Sequence, residues 1–223
     1  MKATAHPRVK ICCIGSVEEA RLAVEHGAAA LGLVSEMPSG PGVIAEPLIA
    51  EIAATVPPGV AAVLLTSRHS VAAIADQHCR TRVNTIQLCD HVADGTLAQL
   101  REALPGVALI QVVHVTGEES LAEAVGVAPS VDAILLDSGN RGLAVKQLGG
   151  TGRRHDWRIS RRIREAVGVP LYLAGGLTPG NVAEAITTVR PFGVDVCNGV
   201  RSDGRLDEAK LAAFFAAVRA AAR

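Results

Sequence analysis

One pattern runs from end to end of this chain: a short apolar run, a polar or glycine-containing turn, then an amphipathic or alanine-rich stretch. The apolar runs fall at 9–14, 28–34, 60–66, 83–88, 107–115, 131–137, 169–174 and 193–197. They are rich in Val, Ile and Leu, as parallel strands buried on both faces must be. Helical stretches at 16–26, 46–56, 69–79, 96–103, 118–127, 157–167, 181–188 and 207–222 separate them. Parallel neighbours need a crossover, and a helix supplies it. Eight such units in 223 residues predict a single (β/α)8 TIM barrel domain over 1–223. A doubly wound open sheet shows the same alternation, but with fewer strands at this length.

Composition agrees. Hydrophobic residues make up 49% of the chain, almost none of them aromatic, which suits aliphatic strands packed against alanine-rich helices. Lys+Arg and Asp+Glu balance at 22 each, and no basic stripe is interleaved with aromatics, so nucleic acid is not an expected partner. No stretch has the length and apolarity of a signal peptide or membrane span. The expectation is a soluble, cytoplasmic protein without a membrane partner. The five cysteines are scattered without C-x-x-C spacing, which predicts reduced thiols rather than a disulfide framework, and no metal.

Two connections are long for βα loops, 35–45 and 138–155. Both follow a strand, the side on which barrels build their sites. Glycines gather after strands: Gly149, Gly150 and Gly152 around Thr151, then Gly175 and Gly176, then Gly199 beside Asn198. Such turns bring backbone N–H groups close to a ligand, and a phosphate commonly docks after the last two barrel strands. Tight turns alone would also use glycine. Alternation puts Lys10 and Cys12 on one face of the first strand, towards the barrel mouth, and Val9, Ile11 and Cys13 on the other, towards the helices. A thiolate beside positive charge can act as base or nucleophile, although a buried Cys is more commonly a small hydrophobe. Asp137 ends an apolar strand, where a carboxylate is a catalytic candidate or a turn cap. Asp195, inside the last strand, needs a partner or an interior position.

The strings KIC (10–12), ILLD (134–137), GGTG followed by DW (149–157), LAGGLTPGNV (173–182) and DVCNGV (195–200) resemble the phosphoribosylanthranilate isomerase family. So does the ending from Ser202 to Phe215. The motifs are in order and span nearly the whole chain. The resemblance implies an Amadori rearrangement in tryptophan biosynthesis, with a phosphorylated sugar-amine as substrate, no cofactor, and a monomer or homodimer. It implies Cys12 as general base and Asp137 as general acid. Lys10, Gln87, Gly150, Thr151, Gly152, Gly175, Gly176, Asn198 and Gly199 would line the substrate and phosphate site, and Asp195 would bond the bridging amine.

The chain departs from that family in places. The usual S-P-R-x-V after the second strand reads Ser39-Gly40-Pro41-Gly42-Val43, so Pro41 replaces an Arg expected to hold the anthranilate carboxylate. The usual His after the fourth strand is Cys89, the Gly after the base Cys is Cys13, and the Ser before the last phosphate Gly is Asn198. Arg141, Arg153 and Arg154 in the long loop are the candidates to replace the missing guanidinium. Alternative readings are a related phosphoribosyl-amine isomerase with another aglycone, and a non-catalytic phosphoribosyl-ligand binding barrel, which would need neither Cys12 nor Asp137. A Schiff-base aldolase would need a reactive inward Lys. Cys79, Cys197 and His114 read as structural, Trp157 as packing at the start of the sixth helix, and Arg161, Arg162 and Arg164 as a solvated face.

Overall fold

The structure, a computed structural model, describes residues 7–140, 142–150 and 152–221. In chain order the units are β1 (Arg8–Ile11) and α1 (Val17–Glu25), β2 (Ala30–Val34) and α2 (Glu46–Thr55), β3 (Ala61–Thr66) and α3 (Val71–Thr81), β4 (Thr85–Leu88) and α4 (Leu97–Ala103). They continue with β5 (Ala108–His114) and α5 (Glu119–Val127), β6 (Ala133–Asp137) and α6 (Trp157–Ala166), β7 (Leu171–Leu173) and α7 (Val182–Val189), then β8 (Gly193–Val196). A hairpin of β9 (Arg201–Ser202) and β10 (Arg205–Leu206) precedes α8 (Glu208–Ala221). Strands β1 to β8 pair in parallel in sequence order and β8 returns to β1, closing the barrel. Among the described residues no helix is long and apolar enough to cross a membrane.

Local chemistry sets the helix starts. Ser16 and Ser70 accept from the backbone N–H three residues on, and Thr96 and Gln99 form a reciprocal capping box. Each of these side chains satisfies a donor that the first helical turn leaves unpaired. The apolar runs at 28–34, 83–88, 131–137 and 169–174 begin before their ladders do, because a two-residue connector leads into each strand, with Ala28, Val83 and Val131 buried in it.

Two layers of core follow from the strand alternation. Leu31, Leu33, Leu64, Ile86, Leu109 and Ile134 face the helices. Val63, Leu65, Ile110, Val112, Ala133 and Leu135 fill the barrel. From outside, Phe214 of α8 is fully buried against this shell.

The interior also holds an ion pair. Lys10 on β1 lies opposite Asp195 on β8 in the register that closes the barrel. Lys10 Nζ stands 3.0 Å from Asp195 Oδ1, with the two side chains 1% and 8% exposed. Burial works against the ammonium charge, but Asp195, with neighbouring thiols adding to it, more than offsets this and holds Lys10 above its ordinary value.

Removing one partner of such a pair strands the other charge in the core. We expect Lys10→Met to lower unfolding free energy by about 3–5 kcal/mol in urea titration. A loss under about 1 kcal/mol would show that water reaches Asp195 freely.

Candidate active site

An open cavity lies at the C-terminal ends of the strands and spans about 730 Å³ with the solvent at its mouth included. Cys12, Gln87, Asp137, Gly150, Gly152, Gly175, Gly176, Asp195, Asn198 and Gly199 all line it. Lys10 does not; it lies beneath, fully buried and bound to Asp195. Thr151 falls outside the described residues, as does Arg141. Loop 35–45 contributes Met37, Ser39, Gly40 and Pro41, and loop 138–155 contributes Leu148 and Gly149. A bond from Ser39 Oγ to Lys146 O, 2.7 Å long, ties the two loops together.

Cys12 is buried just past the end of β1. A hydrogen bond from Cys13 pulls its thiol below the ordinary value, burial opposes this, and Lys10 reinforces it. Gly32 on β2 makes the arrangement possible. A Cβ there would lie 2.9 Å from Cys12 Sγ and 3.0 Å from Lys10 Nζ. Gly32 is a site residue that the sequence reading did not single out. Its signal was available: a glycine inside an apolar strand marks close approach of another group.

Asp137, half-buried at the end of β6, is shifted the other way. Burial pushes its carboxyl up to about 6, with the negative charge of Asp195 adding and the backbone N–H of Ser138 opposing. That N–H donates to Oδ1 over 2.6 Å. Opposite lies Gly149, where a Cβ would come within 2.7 Å of Oδ2. Gln87 is buried at the cavity wall, and its Oε1 has no hydrogen-bond partner among the described residues.

The glycines after β7 and β8 are required by backbone approach. A Cβ on Gly199 would lie 2.0 Å from Leu177 O, and one on Gly176 would lie 2.9 Å from Gly152 O. Both turns and the 138–155 loop therefore meet along one rim, where Asn198 Nδ2 donates to Gly150 O over 3.4 Å.

One expectation is corrected. Cys13 does not face the helices with Val9 and Ile11. The ladder ends at Ile11, and Cys13 takes a left-handed φ of 62°, which breaks the alternation and turns its side chain into the cavity lining. This conformation favours glycine. Room for the thiol comes from Gly42, where a Cβ would collide with Cys13 Cβ at 2.4 Å. The turn is held by Arg201, which donates to the carbonyls of Cys12 and Cys13 and to both oxygens of Glu19 at 3.0 Å. Cys197, read as structural, packs against the barrel-filling cluster and is half-buried on the cavity wall.

Neither Arg153 nor Arg154 lines the cavity. Arg153 donates to Gln147 Oε1 over 2.6 Å. The guanidinium of Arg154 sits 3.8 Å from the centre of the Trp157 ring and 3.7 Å from Glu184. Trp157 and His114 are buried as expected, with His114 Nε2 bonded to Cys89 O. Among the described residues lining the cavity there is no Arg or Lys. Cys79 is exposed in the last turn of α3. Arg161 and Arg162 lie on the solvated face of α6, paired with Glu165 and Glu118, while Arg164 bonds Val189 O.

Comparison with known proteins places these features in a family. Residues 9–217 match the family model for N-(5'phosphoribosyl)anthranilate (PRA) isomerase. The N-(5'-phosphoribosyl)anthranilate isomerase of Methanocella arvoryzae is 35% identical over 208 residues, covering 93% of this chain and 95% of that one. The phosphoribosyl anthranilate isomerase structure from Thermotoga maritima superposes with a TM-score of 0.80 at 30% identity, covering 96% of this chain and 99% of that one. A solved complex of such an isomerase with reduced 1-(o-carboxyphenylamino)-1-deoxyribulose 5-phosphate gives 0.77 at 29% identity, covering 96% and 99%. The closed eight-stranded barrel and the match over nearly its whole length mean that this chain belongs to the N-(5'-phosphoribosyl)anthranilate isomerase family.

Proposed function

We propose that this protein catalyses the Amadori rearrangement of N-(5-phosphoribosyl)anthranilate to its 1-deoxyribulose 5-phosphate product in tryptophan biosynthesis, in the cytoplasm, with Cys12 as general base and Asp137 as general acid. The observation that carries this reading is that Cys12 and Asp137 face one cavity with their ionisation shifted in opposite directions. The lowered thiol is moved towards the thiolate a base needs, and the raised carboxyl towards the protonated form an acid needs.

In this scheme the protonated Asp137 gives its proton to the furanose ring oxygen as the ring C–O bond breaks, leaving a protonated Schiff base. The Cys12 thiolate then takes the C2 proton, and the enolamine tautomerises to the ketone. Every step is a proton transfer. Asp195 accepts from Lys10 through Oδ1 and would receive the bridging amine on Oδ2. The partnerless Oε1 of Gln87 would accept from a sugar hydroxyl. Backbone N–H groups of the turns at Gly175, Gly176, Asn198 and Gly199 would hold the phosphate, with Gly150 and Gly152 beside the substrate. The Schiff-base aldolase reading has less support, because Asp195 keeps Lys10 protonated and buried.

One observation favours a second reading, a related isomerase of another phosphoribosyl amine. Pro41 stands where the family carries an Arg, and no described residue lining the cavity supplies a cation for a carboxylate.

Turnover of phosphoribosylanthranilate, followed by loss of its fluorescence, tests both. We expect Cys12→Ser and Asp137→Asn each to lower kcat by about 10²–10⁴-fold. The free enzyme's kcat/KM should rise as Cys12 loses its proton. It should fall as pH climbs through the Asp137 value near 6, since only the protonated carboxyl can act as acid. A well-folded wild type without turnover would sink the first reading in favour of the second. Gly32→Ala, which crowds Cys12 and Lys10, should cost on the order of 10²-fold in kcat. An unchanged kcat would mean that the floor of the site is not closely fitted.

A further inference from the structure

Two thiols that the reaction scheme does not use meet at the rim of the cavity. Cys13 Sγ and Cys197 Sγ stand 2.7 Å apart, inside the van der Waals contact of two sulfurs. Cys13 comes from the turn after β1, and Cys197 directly follows β8. Cys13 reaches this position only through its left-handed backbone and the missing side chain of Gly42. Their other neighbours are weak partners: Pro41 O at 3.7 Å from Cys13 Sγ and Asn198 Oδ1 at 3.5 Å from Cys197 Sγ. The Arg201 guanidinium lies close enough for its charge to act on both sulfurs.

We propose that Cys13 and Cys197 form a reversible oxidation site, closed to a disulfide by small disulfide compounds, which ties the β1 turn to the end of β8 and slows the enzyme. The half-buried Cys197 is the entry point. Its thiolate attacks one sulfur of the small disulfide, forming a mixed disulfide and expelling a thiolate. Cys13 then loses its proton to solvent and attacks Cys197 Sγ, expelling the second thiolate. Two protein thiols are oxidised and one small disulfide is reduced to two thiols. Hydrogen bonding to Cys12 and Cys197, with burial, holds the Cys13 thiol well above its ordinary value, so its closing attack is the slower step, and the Arg201 charge beside the pair works in its favour.

The link to turnover runs through Cys12. The groups facing Cys12 are Cys13, Lys10, Asp195 and Cys89, and the hydrogen bond from Cys13 does most to stabilise its thiolate. Oxidation consumes that S–H, so the base loses its donor while Lys10 and Asp195 stay in place. Only this last step rests on the proposed function; the cross-link itself does not.

The test is to incubate the protein with excess oxidised glutathione, alkylate, digest and map the thiols. We expect a peptide pair joined through Cys13 and Cys197, 2 Da lighter than its reduced parts, released by dithiothreitol. Cys12→Ser should still form it, whereas Cys13→Ser and Cys197→Ser should not. Oxidised wild type should lose turnover about tenfold or more, the effect of one hydrogen bond to a charged group, and dithiothreitol should restore it. The proposal is overturned if the cross-link is absent, joins Cys12 instead, or forms without any change in turnover. Should the reduced protein prove inactive on phosphoribosylanthranilate, the peptide map still decides the cross-link, so the two failures are separable.

Discussion

The contact between Lys10 and Asp195 is the constraint on which the site is built. Two opposite charges sit inside the barrel in direct register between its first and last strands. Burying them costs several kcal/mol each in desolvation, and a well-packed apolar pair would stabilise the fold at least as well. What the pair adds is charge at a fixed place. Its ammonium lies close to Cys12, the two meeting at the space that a side chain on Gly32 would fill. Its carboxylate opens to the cavity and raises the affinity of Asp137 for a proton. The pair adds to shifts that have other main causes: the hydrogen bond from Cys13 lowers the Cys12 thiol and burial raises the Asp137 carboxyl, with Lys10 reinforcing the first and Asp195 the second.

The departures from the family pattern are physically connected. Cys13, Pro41 and Asn198 lie at different points in the sequence but on one side of the cavity mouth. Cys13 Sγ lies 3.7 Å from the Pro41 carbonyl oxygen, and a side chain on Gly150 would strike the Pro41 ring at 2.6 Å. Asn198 bonds Gly150 in turn. A side chain on Cys13 needs space from loop 35–45, and Gly42 gives it. The left-handed turn costs on the order of 1–3 kcal/mol in backbone strain. Arg201, anchored on Glu19 and holding two successive carbonyls, opposes its relaxation.

Much of this architecture was legible in the sequence because burial on both faces gives parallel strands a long apolar signature. The (β/α)8 barrel and all its helices lie where the pattern put them, and Lys10 and Cys12 share the inward face that alternation assigns. Alternation fails at Cys13 for a physical reason: it holds only while the ladder lasts, and a left-handed residue ends it. The pairing of Cys13 with Cys197 was not legible, since it spans the closure of the barrel and depends on a conformation that composition does not encode. Nor could spacing show that Arg154 is occupied by Trp157 and Glu184, because that outcome depends on where the loop folds back.

Opposite shifts also explain how the proposed acid and base could share so small a space. Two groups with ordinary values, a thiol near 8.5 and a carboxyl near 3.9, would both be in the wrong form at neutral pH. The thiol would hold its proton and the carboxyl would have lost one. Burial alone would move the carboxyl towards its protonated form and worsen the thiol, because it disfavours charge on either. The difference has to come from direction: Cys12 receives a hydrogen bond and a cation, whereas Asp137 faces a second carboxylate with a single backbone donor. The barrel supplies that asymmetry by bringing groups from opposite strands to one mouth, so the same buried environment serves both halves of the chemistry.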